Sequence, residues 1–224
     1  MKHLIALLIL LLAGLATQAY EPQTGHIVWQ DAPPPIMTPD GQIIGTFGPM
    51  LEAVYGSNRT HCGIVYVIAG EAYVIEAGGG APFVCLTPWE EWEARCPWFE
   101  AKKLWFSDYV PGLMQIWAEI ALTRVGEPYD FSWRPYWIPG GELMYCSELP
   151  YWAFRQLFGI SLACWEPMTD LNIYQVCDPY TAGVFGLPPD MTYAQLLPML
   201  GFDLSVPVLT PQRLYESWCL VPAV

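Results

Sequence analysis

The sequence predicts an α+β domain: a central antiparallel sheet or small barrel packed against helices. Three observations predict it. Two apolar, β-rich runs, Cys62 to Ile68 and Tyr73 to Ala77, are separated by Ala-Gly-Glu-Ala, which is a hairpin signal. Two helical patterns come later, over Leu113 to Val125 and from Cys146 to Gly159. Strands lead and helices follow, instead of alternating as they would around a parallel sheet.

The elements follow in chain order. Leu4 to Ala16 is almost wholly apolar, Lys2 precedes it, and Ala19 closes a small-residue cleavage pattern. The run is too short to span a bilayer comfortably, so residues 1–19 read as a cleavable signal peptide. The protein is therefore expected to be exported, periplasmic or secreted, with residues 20–224 as one domain and no transmembrane span after cleavage. Gly25 to Gln30 reads as a short strand, Asp31 to Gly48 as a Pro- and Gly-rich loop, and Pro49 to Tyr55 as a short helix. After the hairpin, Phe83 to Leu86 and Glu100 to Phe106 are strand candidates, with a short helix over Pro88 to Arg95 between them.

In the second half, Leu113, Trp117, Ile120, Ala121 and Arg124 recur at three- and four-residue steps up to Gly126. Glu127 to Gly141 reads as a loop crowded with aromatic residues. Leu149, Ala153, Phe154 and Leu157 then mark a helix that Gly159 stops, with Cys146 at its first turn. Ser161 to Pro207 reads as irregular, and Thr210 to Trp218 as a short closing helix followed by coil.

The formal charge of −13 argues against nucleic acid as a partner. All seven cysteines lie after the leader, none in a Cys-x-x-Cys pair, and only His26 and His61 remain as histidines. A zinc site is therefore not expected, and no cofactor is implied. Export suggests up to three disulfides, with Cys85–Cys96 and Cys164–Cys177 as the local pairings. The odd count leaves at least one thiol free or paired between chains.

Cys146 is the thiol with a reason to stay free. At a helix N-terminus it feels the positive end of the dipole, which favours thiolate. Taken alone, it reads as a buried structural cysteine or a disulfide partner sooner than as a nucleophile. His61 opens the first hairpin strand and Glu76 lies in the return strand, so a hairpin could bring both to one face, although the turn does not fix the register. A carboxylate behind an imidazole would orient the ring for a Cys–His pair.

The motifs His-x-Gly-Ile at His61, Ile-Glu-Ala at Glu76, Pro-Tyr-Asp-Phe at 128–131 and Tyr-Cys-Ser-Glu-Leu at 145–149 resemble those of circularly permuted papain-fold hydrolases of the YiiX/YebB type, relatives of the NlpC peptidases. The resemblance covers most of residues 20–224. It implies a permuted papain-like fold with Cys146 as nucleophile, His61 as general base and acid, and Glu76 as orienter. It further implies an amide-cleaving cysteine hydrolase acting through an acyl-enzyme, with cell-wall peptide as the substrate class. Tyr129, Tyr145 and Trp133 are candidates for substrate contact. Two other readings stay open: an ester acyl hydrolase or acyltransferase like the lecithin retinol acyltransferases, handling a lipid acyl substrate, and a non-catalytic binding module. Three departures from the family pattern are His26 where an aspartate is common, Cys62 directly after His61, and the Pro-, Trp- and Tyr-rich loop after Asp130.

Overall fold

In a computed structural model the described residues are 20–31, 35–37, 40, 42–79, 81–138 and 141–223. The expected signal peptide lies outside them. The strands β1 (Ile27–Gln30), β4 (His61–Ile68), β5 (Glu71–Ala77), β6 (Val84–Pro88), β7 (Glu100–Leu104) and β10 (Leu220–Pro222) form one sheet in the order β10-β7-β1-β4-β5-β6. Every neighbouring pair in it is antiparallel.

Strand alternation assigns the two faces. Ile27 and Trp29 of β1, Cys62, Ile64 and Tyr66 of β4, and Ile75 and Ala77 of β5 join the main core. The helices α3 (Pro111–Leu122) and α4 (Glu148–Phe158) pack there through Trp117, Leu149, Ala153 and Phe154. The Trp117 indole donates to the Pro150 carbonyl at 3.2 Å and its ring meets Phe154 edge-on, tying the two helices together. The opposite face holds a smaller cluster, Val28, Val65, Val74 and Trp92, covered by Trp89, Phe99 and Tyr20. Trp89 and Trp92 belong to the short helix α2 (Trp89–Glu93).

Most predicted elements are present within a few residues. Three segments differ. The expected loop after Asp31 contains a two-stranded ribbon, β2 (Pro35–Met37) with β3 (Ile43–Thr46), before α1 (Gly48–Tyr55). The stretch read as irregular holds β8 (Glu166–Pro167) paired with β9 (Pro207–Val208), and two helices, α5 (Pro179–Phe185) and α6 (Tyr193–Met199). Each helix is seven residues long, too short for periodicity to reveal. Their caps carry the signal instead: the Asp178 carboxylate accepts from the amides of Tyr180 and Thr181, and Thr192 with Gln195 forms a capping box. Finally, the chain beyond α7 (Pro211–Tyr215) is no coil, because Leu220–Pro222 adds the edge strand β10 to the main sheet.

All seven cysteines are unpaired thiols, so neither expected disulfide is present. Cys85 faces Thr87, with the thiol 3.5 Å from its hydroxyl, while Cys96 is buried elsewhere. Cys164 is exposed and Cys177 is buried, so the two thiols occupy different environments.

Candidate active site

The site forms where β4 begins. The β4–β5 register pairs Gly63 with Glu76, so His61, two residues earlier, lies diagonally across on the same face as Glu76. Gly63 makes this possible. A Cβ there would lie 2.4 Å from Val74 Cγ1, 2.8 Å from the Ile75 carbonyl and 3.2 Å from Glu76 Cβ. Without it, Glu76 reaches along the sheet to the imidazole. His61 Nε2 and Glu76 Oε2 are 2.6 Å apart, and neither side chain is exposed.

Glu76 is held from its other side. Its Oε1 accepts from the Thr87 hydroxyl at 2.5 Å and pairs with Arg95 Nη1 at 2.7 Å. Arg95 is itself anchored on the Gly79 carbonyl at 2.5 Å and the Thr87 hydroxyl at 3.2 Å. Gly79 also has no room for a side chain, since a Cβ would fall 1.9 Å from Glu76 Oε2. Burying the carboxylate raises its pKa, but His61, Arg95 and Thr87 outweigh that and leave it below the usual value. Glu76 is therefore an anion with fixed geometry. Thr87 and Arg95 were not singled out in the sequence. The only signal for Thr87 is alternation with Cys85, which lies directly opposite Glu76 in the β5–β6 register. Arg95 comes from the end of the α2 segment and carries no motif.

Cys146 arrives from the opposite direction. It lies two residues before α4, with Ser147 at the N-cap, so the thiol sits at the positive end of the helix dipole. β4 overhangs β5 by two residues at its start, and there the thiol meets the strand: Cys146 Sγ is 3.9 Å from the Thr60 carbonyl oxygen. Flanking bonds fix the segment. The Ser147 hydroxyl donates to the Leu209 carbonyl, and the Leu209 amide donates to the Tyr145 hydroxyl at 3.0 Å. Cys146 is 4% exposed.

The electrostatics favour the charged forms of Cys146 and His61. Cys146 lies well below its ordinary pKa, first through a hydrogen bond from the Cys62 thiol, then, against the cost of burial, through His61 and the Cys62 amide. For His61, burial alone would lower the pKa; the Cys146 and Glu76 interactions outweigh it and raise it to about 9. Burial and the neighbouring thiolate push Cys62 well up, so it is the proton donor of the two thiols. His61 Nδ1, the nitrogen that Glu76 does not use, is buried without a hydrogen bond of ordinary geometry. That nitrogen is the one open to Cys146. An arrangement of this kind can present a thiolate, an imidazolium and a fixed anion behind the ring.

The three predicted contact residues are all buried in the main core. Tyr129 is buried with its ring against Gly78, and Tyr145 is buried with its hydroxyl engaged by Leu209. Trp133 is buried against Phe202, ring centroids 4.4 Å apart, and holds a left-handed backbone (φ 53°), which is strained for a bulky residue. His26 is remote from this constellation. Its pKa is lowered to about 4 by burial, and its Nδ1 bonds the Tyr20 hydroxyl at 2.9 Å.

Fold and site together define a mainly antiparallel sheet packed on helices, with one thiol brought to one imidazole. The fold, a mainly antiparallel sheet packed on helices, is shared with YiiX. The chain is 24% identical over 171 residues to the uncharacterized protein YiiX of Escherichia coli strain K12, covering 75% of this chain and 74% of that one. The structure also matches the crystal structure of YiiX from Escherichia coli O157:H7, described as a metalloprotein. The match has a TM-score of 0.67 at 19% identity and covers 90% of this chain and 96% of that one. No family model matches the sequence. Among the described residues no group of three or more His, Cys, Asp or Glu is placed to hold a metal ion. Nor is any helix among them long and apolar enough to cross a membrane.

Proposed function

We propose that this protein is an exported cysteine hydrolase, papain-like in its permuted order, that cleaves an amide bond, with cell-wall peptide as the substrate class. The observation that carries the reading is the buried chain Cys146–His61–Glu76, in which both ring nitrogens of a raised-pKa imidazole have assigned roles. The Cys146 thiolate attacks the substrate carbonyl, forming a C–S bond and an oxyanion. The backbone amide of Cys146, at the helix start, donates to that oxyanion. The His61 imidazolium then gives its proton to the leaving amine as the C–N bond breaks, leaving an acyl-enzyme. Neutral His61 next takes a proton from water as that water attacks the thioester; the C–S bond breaks, the acid leaves, and the Cys146 thiolate and His61 imidazolium are restored. Glu76 holds the ring and stabilises its charged form throughout.

Cys146→Ala is expected to abolish hydrolysis of muropeptides, with native folding checked by circular dichroism. Undiminished turnover by Cys146→Ala would contradict the reading. The aromatic wall of Trp133, Tyr145 and Trp165 beside the nucleophile supports a second reading, a lipid acyl ester hydrolase. Parallel assays on muropeptides and acyl esters choose between the two.

A further inference from the structure

A cavity of about 600 Å³ opens beside the site, lined by Tyr55, Arg59, Glu166, Asn172, Gln212 and Arg213 among others. This is the size of a small-ligand pocket. None of Cys146, His61 and Glu76 lines it, but two lining residues adjoin groups that touch or flank Cys146. Arg59 adjoins Thr60, whose carbonyl touches Cys146 Sγ. Thr210, also in the lining, adjoins Leu209, which is bonded to both Tyr145 and Ser147 around the thiol. Tyr55, at the end of α1, belongs to the lining and also packs toward Trp133, ring centroids 5.8 Å apart. Burial foremost, and then the nearby Cys146 and Glu166 among other groups, raises the phenol's pKa, so a ring that lines the cavity also lies near the nucleophile.

The lining is built of opposed charges with unequal commitments. Arg59 is fully engaged: its Nε lies 2.5 Å from Glu100, Nη1 donates to Gln212 at 3.0 Å, and the guanidinium covers the Tyr215 ring at 3.9 Å. Glu166 is buried, accepting from the Thr210 hydroxyl at 2.9 Å and from Arg213 Nε at 2.7 Å. This leaves the other edge of Arg213 to a longer, 3.2 Å contact with Glu216, with side chains 48% and 47% exposed. An exposed ion pair of that kind contributes little to stability and exchanges readily for a ligand's charges.

We infer that this cavity is the substrate subsite and that it takes a short zwitterionic peptide. The peptide's carboxylate replaces Glu216 on the free edge of Arg213, and the released Glu216 takes its ammonium group. Tyr55 is the partition that such a ligand displaces to bring its amide to Cys146. An aliphatic acyl chain has no equivalent place, because it would strip water from these charges without pairing them. The inference rests on the hydrolase reading of Cys146 and narrows its substrate to a short peptide with both termini charged.

The test is calorimetric titration of the Cys146→Ala protein with tri-alanine, N-acetyl-tri-alanine amide and decanoate. Tri-alanine is expected to bind at least tenfold more tightly than either comparator, and Arg213→Met in the same background to weaken it at least tenfold. If Arg213→Met does not fold, Glu216→Gln serves instead, and tri-alanine and N-acetyl-tri-alanine are then expected to bind within twofold of each other. Decanoate binding in place of tri-alanine, or an unchanged affinity in the folded variant, overturns the inference. Alkylation of Cys146 in the unmutated protein reads the hydrolase reading separately. Selective alkylation without tri-alanine binding overturns the cavity alone, and absence of selective alkylation overturns the hydrolase reading whatever the calorimetry gives.

Discussion

His61 Nε2 and Glu76 Oε2 meet at 2.6 Å with no solvent on either side chain. A bond this short between buried groups of opposite charge fixes the ring and commits its other nitrogen to Cys146. Glu76→Gln keeps the shape and removes the charge. The charge favours imidazolium, so its loss lowers the His61 pKa from about 9. The alkaline limb of the kcat/KM profile is expected to move to lower pH, with a loss of about 10²-fold or more. A profile unchanged in position would contradict the orienting role. The sign for stability agrees. A histidine raised above its ordinary 6.5 contributes stability that is full below that value and is lost as pH climbs through about 9. Urea midpoints across that window should fall in the parent and stay flatter in Glu76→Gln.

Gly63→Ala tests the register. The added methyl would meet Val74 Cγ1 and the Ile75 carbonyl, which is backbone and cannot swing aside. The expected cost is about 1–3 kcal/mol in urea unfolding, with reduced activity because Glu76 is displaced from His61. A variant with parental stability and activity would show that the close approach is unimportant.

Much of this was legible in the sequence, and the failures have physical causes. The hairpin of β4 and β5, the helix spacing of α3 and α4 and the stop at Gly159 could all be read from periodicity and turn chemistry, because each element is long enough to show its period. The pairing of His61 with Glu76 was legible only as a candidate, since the turn left the register open and the choice is made by packing around Gly63. The anchoring of Glu76 by Thr87 and Arg95 joins residues from different elements and leaves no pattern along the chain. The edge strand Leu220–Pro222 is three residues long and ends in proline, which suits an edge and disguises a strand.

Cys62 is the largest of the influences that lower the Cys146 pKa. Cys62→Ala is expected to raise the Cys146 pKa, so the acid limb of iodoacetamide alkylation moves to higher pH. Cys62→Ser, which keeps a donor, should restore most of the shift. Equal profiles for all three proteins would remove Cys62 from the electrostatics of the site.

Glu148 gives a prediction of opposite sign to Glu76. Burial raises its pKa well above the usual value, and its Oε1 accepts from the Tyr136 amide at 2.7 Å while Oε2 has no partner. A carboxylate raised in the folded state costs stability as pH rises above its unfolded pKa. Glu148→Gln keeps an acceptor for Tyr136 and removes the charge. It is expected to stabilise the protein by on the order of 1 kcal/mol at neutral to alkaline pH and to have little effect near pH 4, read from urea midpoints. Destabilisation at pH 8 would show that the charged form is the one the fold uses.

The central claim is that Cys146 is the one activated thiol. It is 4% exposed, whereas Cys164 is open to solvent, so accessibility and nucleophilicity make opposite predictions. The most direct measurement is alkylation of the native protein with limiting iodoacetamide at about pH 6, followed by non-reducing peptide mapping. The account predicts label on Cys146 ahead of every other cysteine. Label confined to Cys164, or Cys146 recovered in a disulfide with Cys62, would contradict it.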